Sequence, residues 1–339
     1  MARQAVFFGF KPWKQYIPRW FPDLQCTVVT RNPKLMFLQG WPLRLLLVPR
    51  PSVFVWGFKY PAFLKAFCRQ FRIPFFYVED GFVRSVSLGT LNAAPASLII
   101  DRRTVHYDAK NPSELERTLQ TYDFRADTAL MERADACIRM LLDLRVSKYN
   151  MGKHVDIDTL LGPKIRKRVL VVGQVETDAA IAYGCDRPFN NNELVRLAAL
   201  ENPGAQVVYK PHPEILRKKR AGVSDPAEVS HLCDILDMDV TPADALDVAD
   251  HVYTITSLMG FEAVLRGIPV TCVGLPFYAG WGVTDDRQTS ARRTRRLSAR
   301  EIFAAAYLMH SQYFDPETGG PSCLEAVIRR LAEMRRPRP

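Results

Sequence analysis

The chain has 339 residues, of which 47% are hydrophobic and 24% are charged, with a formal net charge of +10. This composition excludes a disordered protein, and the length favours two domains. The seven cysteines are scattered without a CxxC pair, and no uncharged stretch is long enough to span a membrane, so we expect a cytoplasmic protein without disulfides.

The first part of the chain alternates short apolar runs with helical patterns. Strands are predicted at residues 5–10, 26–29, 45–48, 52–57, 75–78 and 95–101. Helices are predicted at residues 61–71, 112–119 and 127–144, the last with apolar residues at helical spacing. This alternation is typical of a parallel, Rossmann-like sheet.

A stretch with glycines, a proline and charges, residues 147–168, is interpreted as the crossing between two domains, and a second alternating region follows it. Strands are predicted there at residues 168–174, 206–209, 251–255 and 268–273, and helices at 191–200, 243–248, 256–266, 301–313 and 323–334. We therefore predict an α/β protein in the GT-B arrangement of glycosyltransferases, with two Rossmann-like domains facing across a cleft. The expected domains cover residues 1–150 and 151–315, followed by a C-terminal helix over 316–339 that can pack back on the first domain.

The apolar strand that begins at Phe75 ends in two carboxylates and a glycine, Glu79-Asp80-Gly81. Ligands of open α/β sheets bind at the carboxyl ends of strands, and glycine allows a sharp turn there. A carboxylate at this position is well placed for chemistry, although an acidic turn after a strand has the same pattern.

A second strand ends in basic residues, in the sequence Lys210-Pro211-His212-Pro213. The flanking prolines stiffen the loop and suit a histidine that must stay oriented. Thr256 and Ser257 open a predicted helix, where hydroxyls, backbone N–H groups and the helix dipole can bind an anion. Helix capping alone would explain the same two residues.

Residues 276–287, which include Tyr278, interleave aromatics with glycines. They predict either a stacking platform for a base or sugar, or a packed loop. The histidines show no pairing at metal-ligand spacing, and Asp237-Met238-Asp239 is interpreted as a solvated acidic surface, so no metal and no other cofactor are expected.

Basic residues cluster at positions 164–168, 217–220, 292–296 and 335–338. Anionic small substrates, an anionic membrane surface or nucleic acid would suit such clusters, and solvated surface would also account for many of them. Because no zinc-finger, RNP-like or KH motif is present, no nucleic-acid partner is expected.

The pair Glu79-Asp80-Gly81 and Lys210-Pro211-His212-Pro213 resembles the acidic-Gly and His-Pro motifs of bacterial sialyltransferase-like enzymes that use CMP-activated sugars. Longer segments, residues 78–89, 97–108, 147–152, 173–176, 256–263 and 277–287, resemble KpsC-type capsule proteins, the β-Kdo transferases of Gram-negative capsule assembly. Such enzymes carry two modules in tandem, whereas this chain has room for one. The acceptor and the linkage therefore stay open.

The resemblance implies a GT-B fold, CMP-β-Kdo as the donor, a Kdo-containing glycan or glycolipid as the acceptor, and retention of configuration without metal. The first domain would supply the catalytic acid and the acceptor side, and the second would bind the donor. Asp80 would be the catalytic group and His212 a contact of the donor phosphate, with Thr256 and Ser257 capping that phosphate.

Chemical reasoning adds further roles to this set. Lys210 and His212 would neutralise the departing phosphate, while Asp80 would form a glycosyl-enzyme. By residue type and position, Glu79 or Glu176 is expected as the acid/base and Arg84 as a clamp for the Kdo carboxylate. Gln174 and Tyr278 complete the expected donor-binding residues.

Two other hypotheses remain open from the sequence. One is an inverting, sialyltransferase-like enzyme in which Asp80 acts as a general base. The other is a non-catalytic basic scaffold on a membrane surface. An enzyme with a lipid acceptor would also sit peripherally on the inner membrane, with the C-terminal basic clusters on anionic lipid.

Overall fold

A computed structural model describes residues 3–10, 15–29, 32–87, 93–152, 154–217 and 222–335. Its strands are β1 (Arg3–Phe8), β2 (Leu24–Val29), β3 (Pro51–Trp56), β4 (Phe75–Asp80), β5 (Ser97–Asp101), β6 (Arg168–Val172), β7 (Gln206–Lys210), β8 (Asp234–Ile235), β9 (His251–Thr254), β10 (Val270–Cys272), β11 (Asp285–Asp286), β12 (Ser311–Phe314) and β13 (Pro321–Ser322).

The α-helices are α1 (Ile17–Trp20), α2 (Pro33–Leu38), α3 (Trp41–Leu47), α4 (Ala62–Gln70), α5 (Glu114–Thr121), α6 (Thr128–Asp143), α7 (Ile157–Leu161), α8 (Ala179–Gly184), α9 (Asn191–Glu201), α10 (Pro213–Leu216), α11 (Pro242–Asp247), α12 (Leu258–Val264), α13 (Ala299–Phe303) and α14 (Leu324–Arg335). A 3₁₀ turn covers Pro226–Val229 and a π-helical turn covers Ala304–Met309. Among the helices in the described ranges, none is long and apolar enough to cross a bilayer.

The strands form two sheets, in the orders β13-β12-β5-β4-β3-β1-β2 and β11-β10-β9-β6-β7-β8. The second sheet is parallel, and its central strands β6 and β7 are buried along their whole length, as expected for a sheet covered on both faces. Two Rossmann-like domains are therefore present, and the predicted α/β GT-B architecture is confirmed.

The first sheet is mixed rather than parallel, because β5 runs antiparallel to β4. A Cβ atom at Gly81 would collide with Ser97, so the close approach of the chain to β5 directly after β4 requires glycine there. Asp80 is the last residue of β4 and therefore lies at the carboxyl edge of the sheet.

The chain returns to the first sheet near its end. Strand β12 pairs antiparallel with β5 of the first sheet. The chain therefore rejoins the first sheet at Ser311, a few residues before the domain boundary expected at residue 315. Helix α14 then lies along α6, with Arg133 Nε 2.7 Å from Glu325 Oε1.

Two segments differ from the predictions. The apolar run at residues 45–48 was predicted as a strand, but it lies in helix α3, which follows left-handed Gly40 and carries Pro42 in its first turn. Only Leu45 of that helix is fully buried, so its apolar composition does not reflect burial in a sheet. Residues 301–313 were predicted as one helix, but in the structure they are divided among α13, the π-helical turn and strand β12.

A buried carboxylate joins the two halves of the chain. Glu116 of α5 accepts hydrogen bonds from Arg292 Nε at 2.6 Å and from Arg293 Nε at 3.0 Å. In the basic cluster at residues 292–296, Arg293 is therefore buried and paired, Arg292 is half-buried and paired, and Arg296 is exposed. The clusters at 217–220 and 335–338 fall mostly outside the described residues.

Candidate active site

A cavity of about 720 Å³ lies between the carboxyl edges of the two sheets, within the size range typical of ligand pockets. It brings together most of the residues predicted from the sequence: Glu79, Asp80, Arg84, Gln174, Lys210, His212, Thr256 and Ser257. Glu176 and Tyr278 are not part of its lining.

Asp80, the last residue of β4, is held by a buried cation. Its Oδ2 lies 2.8 Å from Nε of Arg84, which is 1% exposed and also donates from Nη1 to the Ala93 carbonyl at 3.0 Å. Asp80 Oδ1 is buried in the cavity wall without a hydrogen-bond partner among the residues that the structure describes. Arg84 thus orients one carboxylate oxygen of Asp80, and the other oxygen makes no hydrogen bond within the described part of the chain.

Glu79 lies beside Asp80 and accepts a hydrogen bond at 3.2 Å from the Tyr107 hydroxyl. Burial, together with the negative charge of Asp80, raises the pKa of Glu79 to about 7. A carboxyl group with this pKa exchanges a proton near neutral pH, which is the property of a general acid or base.

Lys148 also lines the cavity and was not predicted as a site residue. Burial opposes its charged form, but Tyr149, Asp80 and Glu79 outweigh burial and raise the pKa of Lys148. The sequence stretch around Lys148 was assigned to the crossing between domains, so only the resemblance of residues 147–152 could have drawn attention to it.

Glu262 of α12 fixes that crossing segment from the second domain. It accepts hydrogen bonds from the Ser147 hydroxyl at 2.7 Å and from the Lys148 N–H at 3.2 Å. Burial raises the pKa of Glu262. Glu262 therefore helps to set the position of Lys148 relative to Asp80.

The second sheet contributes basic groups where β7 ends. Lys210 is 4% exposed, and burial lowers the pKa of its ammonium group, although Asp239 acts in the opposite direction. His212 caps α10, and its Nδ1 accepts from the Glu214 N–H at 3.2 Å. A neutral His212 then carries its proton on Nε2, as a hydrogen-bond donor.

The start of α12 is organised by Gln174. Gln174 Oε1 accepts from the Thr256 N–H at 2.7 Å, and its Nε2 donates to Thr256 Oγ1 at 3.1 Å. The Ser257 N–H donates to Thr254 Oγ1 at 3.0 Å, and Ser257 Oγ accepts from the Met259 N–H at 3.3 Å. The backbone N–H groups of Thr256 and Ser257 are thus used within the protein, while their hydroxyl groups can still donate to a ligand.

Two predicted donor-binding residues have structural contacts instead. Glu176 accepts from the N–H groups of Asn191, Val223 and Ser224 and from the Ser224 hydroxyl. Burial opposes ionisation, but these bonds together lower the pKa of Glu176. Tyr278 is fully buried and donates to the Ser257 carbonyl, so it supports the start of α12 from behind.

The aromatic loop at residues 276–287 is packed rather than open. Phe277 lines the cavity, while Trp281 is fully buried and donates from its indole N–H to the Phe277 carbonyl at 2.8 Å. The interpretation of this segment as a packed loop therefore fits the structure better than a stacking platform.

Asp239 was expected on a solvated acidic surface, but the structure places it in the cavity lining. It accepts a hydrogen bond from Arg217 Nε at 2.9 Å. Within the described ranges, no group of three or more His, Cys, Asp or Glu side chains is arranged to hold a metal ion.

The chain matches the family model described as "Capsule polysaccharide biosynthesis protein" over residues 52–315, which include the predicted site residues. It is 42% identical to the lipopolysaccharide-processing protein LpsZ of Rhizobium meliloti over 96% of this chain and 74% of LpsZ. It is 35% identical to the capsule polysaccharide modification protein LipA of Neisseria meningitidis serogroup B, over 91% of this chain but only 43% of LipA.

Two solved structures from Thermosulfurimonas dismutans are similar along nearly their whole length. The KpsC β-Kdo 2,4 transferase is 32% identical, with a TM-score of 0.80 and coverage of 98% of both chains. The KpsC β-Kdo 2,7 transferase is 30% identical, with a TM-score of 0.71, over 98% of this chain and 100% of that chain.

Proposed function

The chain belongs to the capsule polysaccharide biosynthesis protein family, and we propose that it is a retaining glycosyltransferase that moves Kdo from CMP-β-Kdo to a glycan or glycolipid acceptor. The similarity to two KpsC β-Kdo transferases supports the sugar and the reaction class.

One observation carries this proposal: an acid from the first sheet and basic groups from the second line the same cavity. Asp80 lies at one wall, and Lys210 and His212 lie where β7 ends. Transfer from a nucleotide-activated sugar needs both, because positive charge develops at the anomeric carbon while negative charge grows on the leaving phosphate.

In the first step, Asp80 Oδ1 attacks the anomeric carbon of Kdo. The bond between that carbon and the phosphate oxygen breaks, and its electron pair leaves with CMP. Lys210 and the Nε2–H of His212 stabilise the phosphate, which needs no proton at neutral pH. Arg84 holds Oδ2 and so fixes the orientation of the attacking oxygen.

In the second step, the acceptor hydroxyl attacks the same carbon and displaces Asp80, and its proton passes to Glu79. Two inversions give net retention. With its pKa raised to about 7 by burial and by the neighbouring carboxylate, Glu79 is matched to this role, whereas the carboxylate of Glu176 is occupied by four hydrogen bonds.

The test is incubation with CMP-Kdo, with and without synthetic mono-Kdo and di-Kdo acceptors. Without acceptor, mass spectrometry of digested protein should show a Kdo adduct on the peptide that contains Asp80. With acceptor, NMR of the product should show β configuration. Asp80→Asn should lose both signals, while the matched cavity variant Asp178→Asn, in which asparagine keeps the cap of α8, should retain the adduct.

Each rival hypothesis gives a different result. An inverting enzyme with Asp80 as general base would yield the α product and no adduct. A non-catalytic scaffold would show no turnover of CMP-Kdo and no rise in melting temperature with CMP. An adduct on a peptide lacking Asp80 would overturn the assigned nucleophile and leave the reaction class intact.

A further inference from the structure

Helices α2 and α3 expose large apolar side chains to solvent. Leu38 is 83% exposed, Leu43 63% and Leu47 74%, and Phe37 and Leu46 are also exposed. Single exposed leucines are common, but this many on two short adjacent helices form a patch of the kind that marks an interaction site.

The patch continues onto α4. The ring of Phe37 lies 4.9 Å from that of Phe63, and further along the same helix Phe67 lies 4.7 Å from Phe71, which is itself exposed. Phe63 and Phe67 lie four residues apart on one face of α4, and Phe71 follows directly after the helix ends. We call the exposed side chains of α2, α3 and α4 the α2–α4 surface.

The charge of this region is entirely positive. Between Asp23 and Glu79 the chain contains no acidic residue but eight lysines and arginines. Three of them, Arg44, Lys65 and Arg69, are exposed on α3 and α4. This differs from the arginine cluster at residues 292–296, where Arg292 and Arg293 share an ion pair with Glu116.

We propose that the α2–α4 surface docks this protein on a bilayer that contains anionic lipids. Leucine and phenylalanine on the apolar side, an interfacial tryptophan and flanking cations are the composition of helices that lie in the plane of a membrane. Trp41 is half-buried at the start of α3, with the Arg44 guanidinium 5.7 Å from its ring. A surface for a second protein would not need uniformly positive charge.

The placement of the surface agrees with this partner. Strands β1 to β4 are parallel, so the chain leaves β2 toward α2 at the same edge where β4 presents Asp80 to the cavity. Docking at the surface would bring the first domain, with this edge, to the lipid headgroups. Helices α2 and α3 also lie outside the range of the family match, residues 52–315. The proposal concerns binding alone and does not rest on the transfer reaction.

The test is flotation of the full chain with phosphatidylcholine vesicles, with and without phosphatidylglycerol. The wild type should float with the mixed vesicles, and the triple variant Leu38→Gln, Leu43→Gln and Leu47→Gln should bind about 100-fold more weakly. The matched control replaces three exposed apolar residues of the second domain by glutamine. These are Ile165, Leu200 and Val223, which are 86%, 80% and 68% exposed. This control should float as the wild type does.

Two further measurements locate the contact. Replacement of Arg44, Lys65 and Arg69 by glutamine should remove the dependence of binding on phosphatidylglycerol and on salt. In a Trp13→Phe background, brominated lipid should quench tryptophan fluorescence, and much less when Trp41→Phe is added, because the remaining Trp20, Trp56 and Trp281 are buried.

Equal flotation of the leucine variant and the wild type, with unchanged circular dichroism, would overturn the proposal. So would an unbound wild type that sediments as a dimer while the leucine variant sediments as a monomer, since the surface would then belong to a second copy of the chain.

Discussion

Replacing Glu79 by glutamine should change how the stability of the protein depends on pH. Burial and the charge of Asp80 raise the pKa of Glu79 from its ordinary 4.5 to about 7. Between these values the folded state keeps a proton that the unfolded state has lost, so stability falls as pH rises, by about 1.4 kcal/mol per pH unit. Below 4.5 and above 7 the two states bind the same number of protons and the effect is constant.

Between pH 5 and pH 8 this linkage should lower the stability of the wild type by roughly 2 to 3 kcal/mol. Glutamine has no proton to lose and can still accept from Tyr107, so the stability of Glu79→Gln relative to the wild type should rise by a similar amount over the same interval. Urea unfolding at both pH values, followed by circular dichroism and tryptophan fluorescence, measures this difference.

The matched control is Glu132→Gln, an exposed glutamate on α6, for which the difference from wild type should not depend on pH. Coincident transitions for the two probes are required before free energies are compared. A stability difference between Glu79→Gln and the wild type that is equal at pH 5 and pH 8 would refute the reasoning, and with it the basis for Glu79 as acid/base.

Three further variants test the assigned roles. Asp80→Asn should abolish Kdo transfer with little change in melting temperature, because its amide oxygen still faces Arg84, whereas Asp80→Ala removes the carboxylate from that buried guanidinium and should cost about 3 kcal/mol in urea unfolding. Lys210→Met should weaken CMP binding roughly tenfold or more in calorimetry but leave stability equal or higher, since burial disfavours the ammonium; unchanged CMP affinity would remove Lys210 from the donor site. Glu176→Ala should lower stability by about 3 kcal/mol, because the groups that donate to its carboxylate lose their acceptor, and CMP affinity should stay unchanged. A large loss of CMP affinity would show that Glu176 belongs to the donor site.

The local rules of the sequence predicted two α/β sheets and placed most of the candidate residues around one cavity. Buried strands followed by polar residues place Asp80 and Lys210 at carboxyl edges, and this requires only the period of the apolar pattern and the position of the turn. The same rules failed at residues 45–48, because exposed leucines in a helix have the same composition as a buried strand.

The contacts of individual side chains could not be predicted in the same way. Whether Arg84 meets a ligand or Asp80 depends on the fold of the segment between them, and whether Glu176 faces the cavity depends on a loop near Ser224, almost fifty residues away. Lys148 enters the site only because the crossing segment lies against Glu262. These are long-range contacts, which sequence spacing does not encode.

The distribution of positive charge follows from the same distinction between internal and exposed residues. A net charge of +10 suggests a general attraction to anions, but Arg292 and Arg293 are used by Glu116, and Lys210 lies inside the cavity. The eight lysines and arginines between Asp23 and Glu79 have no acidic residue among them in the sequence, and three of them, Arg44, Lys65 and Arg69, are exposed on the apolar α2–α4 surface. Charge held inside the cavity suits a small anionic donor, whereas charge beside exposed leucines suits an extended anionic surface. The first proposal therefore assigns Lys210 to the donor phosphate, and the second assigns Arg44, Lys65 and Arg69 to anionic lipid. Lys210→Met should then leave vesicle binding unchanged.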